Sequence, residues 1–245
     1  MKIIDTYWEK RNLGLDCKEI IFEDSDDIQT IESLQEIFEN TGYIVAKLPV
    51  ARYDLYEKLA EWGFVYIESS INFQINLKNA VLTPLQERLN KSITYAKMGD
   101  DDIKVLFEEL DKGLFSTDRI YIDYHFSKNQ AATRYKNWIS DELTRGSEVY
   151  KIIYKQAAIG FFTFKEISHD VCYPFLAGLY NTCNNSGLGF TVIRKPIEEA
   201  LNRGSNYIST YVSTNNLPIA RVHFQQGFIL HDIKNIFVKH KINNE

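Results

Sequence analysis

Long apolar runs are missing from this 245-residue chain. A bilayer-spanning helix needs roughly 20 consecutive apolar residues. The most apolar stretches, Ile152-Ile153-Tyr154 and Ala157 to Phe164, are strand-length and separated by Lys155 and Gln156. No membrane association is expected. The opening Met-Lys-Ile-Ile-Asp lacks the apolar core of a secretory signal, so the expected compartment is the cytoplasm. Cysteine is scarce: Cys17, Cys172 and Cys183 are odd in number and far apart, which argues against a disulfide scaffold and leaves no C-x-x-C pair for zinc. His125, His169, His223, His231 and His240 show no ligand spacing such as H-E-x-x-H, so no metal is expected. Glycine (12) and proline (5) are too few for a collagen-like or low-complexity chain. Also missing is the Lys/Arg stripe with interleaved aromatics that marks nucleic-acid binding, and nucleic acid is not an expected partner.

What is present suits a globular α/β protein. With 44% hydrophobic and 25% charged residues, the length allows one large domain or two small ones, each able to bury a core without metals or disulfides. The net charge of −5 is uneven: residues 1–113 carry 13 basic against 22 acidic side chains, and residues 114–245 carry 15 against 11. A mildly basic second part suits a small polyanionic ligand.

Periodicity orders the elements. Glu19 to Phe22 reads as a strand, and Asp26 to Asn40 as a helix with Ile28, Ile31, Leu34, Ile37 and Phe38 in phase. Ile44 to Leu48 is a second strand, Ala51 to Trp62 an amphipathic helix, and Phe64 to Leu77 extended chain. A polar connector follows, and the expected domain boundary lies near residue 90, giving an N-terminal α/β domain over 1–90 and a second domain over 91–245. The second begins with a strand at Ile93 to Lys97, an Asp-capped helix to about Leu110, an aromatic-rich loop over 115–126 and a helix over 130–143. Strands at 149–154, 157–164 and 171–179, a glycine-containing turn, a helix over 190–202, a strand at 207–212, a helix over 216–226 and two final strands complete it.

The turn is the most informative feature. Asn184-Asn185-Ser186-Gly187-Leu188-Gly189 lies where the chain leaves a strand and enters a helix. Glycines there let consecutive backbone N–H groups face an anion, and the helix dipole adds favourable potential. A pyrophosphate is the natural guest. No Gly-Lys-Ser/Thr follows, so it is not a Walker A loop, and Val192 stands where a Rossmann loop has its third glycine.

The order of elements over residues 91–245 resembles the GNAT superfamily of acyl-CoA N-acyltransferases. The family's pyrophosphate motif, Q/R-x-x-G-x-G/A, aligns with residues 184–189, with Asn184 in place of the usual Gln or Arg. Its later signature, Asn followed by a helix and a Gly-Phe strand start, aligns with Asn216 to Phe228. The resemblance implies a mixed, mainly antiparallel central sheet flanked by helices, with acyl-CoA as acyl donor. It implies CoA contacts from Leu176, Ala177, Gly178, Leu179, Asn184, Ser186, Gly187, Leu188, Gly189 and Asn216. Many members place a thiolate-protonating Tyr four residues before the glycine of Gly-Phe; His223 stands there, and the expected proton source is His223 as an imidazolium or a proton relayed from the substrate amine.

Across most of the chain, Trp8, Glu61-Trp62-Gly63-Phe64, Phe115 to Tyr121, Tyr135 and Trp138 resemble the dTDP-fucosamine acetyltransferases. That resemblance implies a dTDP-linked amino-dideoxy sugar as acceptor, acylated at a C3 or C4 amine with acetyl or a short acyl group such as 3-hydroxybutanoyl. Tyr121, Tyr124 and His125 become acceptor contacts, Asp123 or an ordered water the general base, and a homodimer is compatible with it. Two other readings stand beside it: a GNAT acting on a protein or small amine, and a non-enzymatic CoA- or nucleotide-binding module.

Overall fold

The structure, a computed structural model, describes residues 1–183 and 185–241, with the Thr30 side chain left aside. In chain order the elements are β1 (Lys2–Asp5), α1 (Tyr7–Leu13), β2 (Cys17–Ile21), α2 (Gln29–Glu32), α3 (Gln35–Asn40), β3 (Tyr43–Pro49), α4 (Tyr53–Glu61) and β4 (Val65–Asn76). There follow α5 (Pro84–Asn90), β5 (Ile93–Lys97), α6 (Asp100–Asp111), α7 (Arg119–Ile122), α8 (Lys128–Thr144), β6 (Glu148–Tyr154), β7 (Ala157–Ser168), β8 (Val171–Tyr173) and β9 (Ala177–Leu179). The chain closes with α9 (Thr191–Asn202), β10 (Tyr207–Ser213), α10 (Leu217–Gln225) and β11 (Ile229–His240). Among the described residues, no helix is long and apolar enough to cross a membrane.

The chain forms two compact units that interleave in sequence. The first holds Met1–Ser70, Asp118–Arg134 and the chain from Ile233 onward; the second holds Ile71–Thr117 and Tyr135–Asp232. Residue 90, the expected boundary, ends α5 inside the second unit. Two stretches expected in the later domain, 118–134 and 233–240, supply core side chains such as Ile120, Ala131, Ile236 and Val238 to the first unit.

In the first unit, β2 runs parallel to β3, while β1 and β11 pair antiparallel with β2 and β3. Strand alternation sorts the side chains between two cores. Ile44, Ala46, Leu48 and Phe237 meet Ile31, Leu34, Phe38, Leu55 and Leu59 on one face, and Tyr43, Val45, Ile236 and Val238 meet Leu13, Ile120 and Phe126 on the other. The helix expected over 26–40 is two short ones, α2 and α3, yet Ile31, Leu34 and Phe38 stay buried on either side of the break.

The second unit is a mixed, mainly antiparallel sheet with helices on both faces. β5, β6 and β7 form an antiparallel meander; β8 pairs antiparallel with β7 and parallel with β10. Phe162, Phe164 and Tyr150 face a core completed by Val192, Ile197 and Ala200 of α9. Val149 and Phe161 face a second core built with Leu106 and Leu110 of α6 and Ile139 of α8.

Candidate functional site

The strand expected over 171–179 is split. β8 is laddered on both sides, whereas among the described residues β9 pairs with β7 alone (Gly160 opposite Leu179, Phe161 opposite Gly178, Phe162 opposite Ala177). Pro174 begins the break, as a residue without a ladder donor should. Thr163, wholly buried in β7, holds the irregular chain: its N–H donates to the Leu176 carbonyl (2.8 Å), and its hydroxyl accepts from the Leu176 N–H (2.8 Å). Toward β7 point the Leu176 carbonyl and the Tyr180 N–H, the latter donating to the Ile159 carbonyl at 2.9 Å. By strand alternation, the N–H and C=O groups of Ala177 and Leu179 therefore point away from β7. This is an open edge two residues long, the kind of backbone an extended amide chain can pair with.

Beyond β9 the chain makes a 3-10 turn over Asn181–Cys183 and enters the glycine turn. Asn184 lies outside the described residues. Leu188 and Phe190 anchor the turn in the core, while Gly187 before them is exposed and Gly189 between them partly so. Asn185 (φ +61°) and Gly187 (φ +77°) are left-handed, and the Ser186 N–H is held within the turn by the Cys183 carbonyl at 3.3 Å. A Cβ on Gly187 or Gly189 would meet nothing within 4 Å, so the space over both is open. Ser186 Oγ accepts from the Leu188 N–H (3.3 Å), bracing the turn from within. Arg194 Nε and Lys195 Nζ, early in α9, both pair with Glu198 (3.0 and 2.9 Å). The start of this twelve-residue helix adds backbone N–H groups and a favourable dipole for an anion. Asn216 caps α10, its Oδ1 accepting from the Ile219 N–H at 3.4 Å, which leaves the side-chain NH2 as the part a ligand could use.

His223 departs from its expected role. Only 2% exposed, it stacks on Phe73 (centroids 4.8 Å apart) and meets the edge of Phe228. Burial pushes its imidazole down to about 4, against a smaller upward pull from the Ile219 carbonyl. That carbonyl can only accept, so Nδ1 carries the proton and donates it at 2.8 Å. The remaining nitrogen, Nε2, is a bare acceptor with no partner among the described residues. A neutral ring whose one hydrogen is already committed is not the imidazolium donor expected from sequence; the residue is a core side chain.

The expected acceptor residues fall in the first unit. Tyr121 is partly buried and carries Lys128 over its ring, whereas Tyr124 is 88% exposed. Asp123, 5% exposed, accepts from His125 Nδ1 (2.8 Å), from the His125 backbone N–H (3.1 Å) and from His240 Nε2 (2.7 Å). Burial alone would raise its carboxyl, but the hydrogen bonds from His240 and His125 outweigh it and hold the group below the usual carboxylate range. A carboxylate so satisfied is a poor general base, which corrects that expectation. His240 was not singled out in the sequence, and nothing in its spacing from Asp123 could have marked it. Thr163 was missed as well, although it is the one polar side chain within Ile159 to Phe164, and Pro174 signalled the break that it stabilises.

No protein-family model matches the chain, and no curated protein matches it. Solved structures do. A functionally unknown conserved protein from Staphylococcus epidermidis is similar over 93% of this chain and 85% of that one, with a TM-score of 0.64 at 12% identity. A GCN5-related N-acetyltransferase from Kribbella flavida is similar over 91% and 81%, with a TM-score of 0.57 at 11% identity. A tandem GNAT protein from the clavulanic acid biosynthesis pathway is similar over 89% and 69%, with a TM-score of 0.53 at 10% identity. At such identities the likeness is one of fold: the chain has the α/β fold of the GCN5-related N-acetyltransferases.

Proposed function

We propose that this protein transfers an acyl group from an acyl-CoA thioester to an amine, and that a dTDP-linked amino-dideoxy sugar carries the amine. The observation that carries the acyl-CoA reading is the open β9 edge followed directly by a glycine turn and the start of α9, in a fold shared with GCN5-related N-acetyltransferases. On this reading the pantetheine amides pair with the outward groups of Ala177 and Leu179, and the pyrophosphate lies over Gly187 and Gly189. The neutral amine attacks the thioester carbonyl, and an outward N–H of β9 receives the oxyanion. The C–N bond forms, the C–S bond breaks, and the thiolate takes the proton that the amine gives up, relayed through solvent rather than through His223.

The sugar nucleotide rests on the resemblance carried by Trp8, Glu61 to Phe64 and Phe115 to Tyr121, with Tyr121, Tyr124 and His125 as its acceptor contacts. The test is CoA-thiol release from acetyl-CoA and 3-hydroxybutanoyl-CoA, offered dTDP sugars bearing a C3 or C4 amine, a polyamine or a basic peptide. The expected result is release that depends on a dTDP-amino sugar, with kcat/KM at least a hundredfold above the other amines. Turnover with the polyamine or peptide alone would overturn the acceptor. Absence of release with every amine, together with absence of CoA binding, would overturn the acyl-transfer reading.

A further inference from the structure

Asp123, His125 and His240 are brought together within the first unit, one ligand atom from each lying within 4.8 Å of the others. Three different constraints fix them. Asp123 ends α7, its N–H donating to the Arg119 carbonyl (3.1 Å); His125 is tied back by its own backbone N–H to the same carboxylate; His240 sits at the end of β11, opposite Tyr43 of β3. The two imidazoles stack with centroids 3.8 Å apart, each turning one nitrogen to a different oxygen of Asp123. Phe126 and Tyr43 pack on His240, so its side is closed, while the His125 side chain is 40% exposed and opens the cluster to solvent.

We propose that this cluster is a binding site for one divalent transition-metal ion of the zinc type, held by His125 Nδ1, His240 Nε2 and an Asp123 carboxylate oxygen. Two imidazoles and one carboxylate form a borderline-soft donor set that suits Zn2+ or Co2+ better than Mg2+ or Ca2+. Metal binding requires the N–H that each ring turns to Asp123 to move to its opposite nitrogen, or to leave to solvent, and the carboxylate exchanges two hydrogen bonds for the metal. Ligand bonds of about 2.0–2.2 Å in a tetrahedral site put donor atoms roughly 3.3 Å apart. Each imidazole nitrogen now stands 2.7–2.8 Å from its own Asp123 oxygen, with the three ligand atoms within 4.8 Å of one another, so those nitrogen–oxygen contacts must lengthen by about half an ångström. The exposed His125 ring is the one free to turn. Three protein ligands leave a coordination position for water or another small donor.

The test uses the full chain without CoA, so its outcome is independent of acyl transfer. After dialysis against Zn2+ and removal of unbound ion, the wild type should retain one Zn2+ per chain. Co2+ in its place should give visible ligand-field bands of a low-coordinate nitrogen/oxygen site. His240→Asn and, at the exposed ring where folding is not at stake, His125→Gln should each lower metal content and band intensity at least tenfold. Cys183→Ser, which alters the half-exposed thiol of the other unit, should change neither. Less than a tenth of an equivalent in the wild type, or content unaffected by both histidine substitutions, would overturn the proposal and leave the cluster a hydrogen-bonded pin.

Discussion

Two stretches of the second unit, each beside or within one of the two family-like motifs, have opposite characters. At the end of α10 the polar side chains are sealed from solvent, and His223 Nε2 and Gln226 Oε1 are buried with no hydrogen-bond partner among the described residues. Gly227 has φ +95°, and a Cβ there would stand 2.5 Å from the Asn79 carbonyl oxygen. The Gln226 side chain, wholly buried, donates to the Phe190 carbonyl at 2.7 Å, and His223 lies sealed between Phe73 and Phe228. Along β9 and the turn after it, the opposite holds. The strand is laddered on one side only, and Cβ atoms on Gly187 or Gly189 would enter open space. Closed polar groups build the fold; open ones are left for a ligand. A glycine or histidine matching a family pattern belongs to one class or the other by its surroundings, not by its identity.

Three substitutions would break or sharpen that contrast. The largest effect on stability is expected from Gly227→Ala. A side chain there needs an unfavourable left-handed backbone and collides with a main-chain oxygen, so the loss should be on the order of 2–4 kcal/mol in denaturant unfolding. A loss below half of that would mean the α10 corner is looser than the structure describes.

The second effect is a pH dependence. An unfolded histidine titrates near 6.5, and burial holds His223 at about 4 in the folded chain. Above 6.5 both states are neutral and its contribution to stability is fully present. As pH falls from 6.5 to 4 the unfolded state alone takes up the proton, so stability drops, by on the order of 3 kcal/mol across that window. His223→Phe, which keeps a ring between Phe73 and Phe228, should remove most of that slope in unfolding curves measured between pH 7 and pH 4. An unchanged slope would contradict the sealed histidine.

The sequence marked some of this and concealed the rest for identifiable reasons. The glycine turn, the helix after it and the Gly-Phe strand start lie close together in the chain, and local periodicity located them all. The fate of His223 was not local: it is decided by Phe73, which stands on β4, 150 residues earlier. The split between β8 and β9 was visible in Pro174, but the hydroxyl that stabilises it comes from Thr163 across the ladder. His240 meets Asp123 only because the last strand pairs with β3 beside the 118–134 segment, a long-range event that spacing cannot express. For the same reason a polar connector near residue 90 gave no hint that the first unit also takes residues 118–134 and 233–240.

The smallest effect on stability belongs to Gly189→Val, and it tests the central claim most directly. Because a Cβ at Gly189 meets nothing within 4 Å among the described residues beyond its chain neighbours, valine should leave the fold intact while filling the space where a pyrophosphate would lie. Calorimetric titration with acetyl-CoA should show binding by the wild type and at least a tenfold weaker Kd for Gly189→Val, with the Tm unchanged within about 2 °C. Equal affinity in the two proteins, or no acetyl-CoA binding by the wild type, would contradict the assignment of β9 and its glycine turn as the acyl-CoA site.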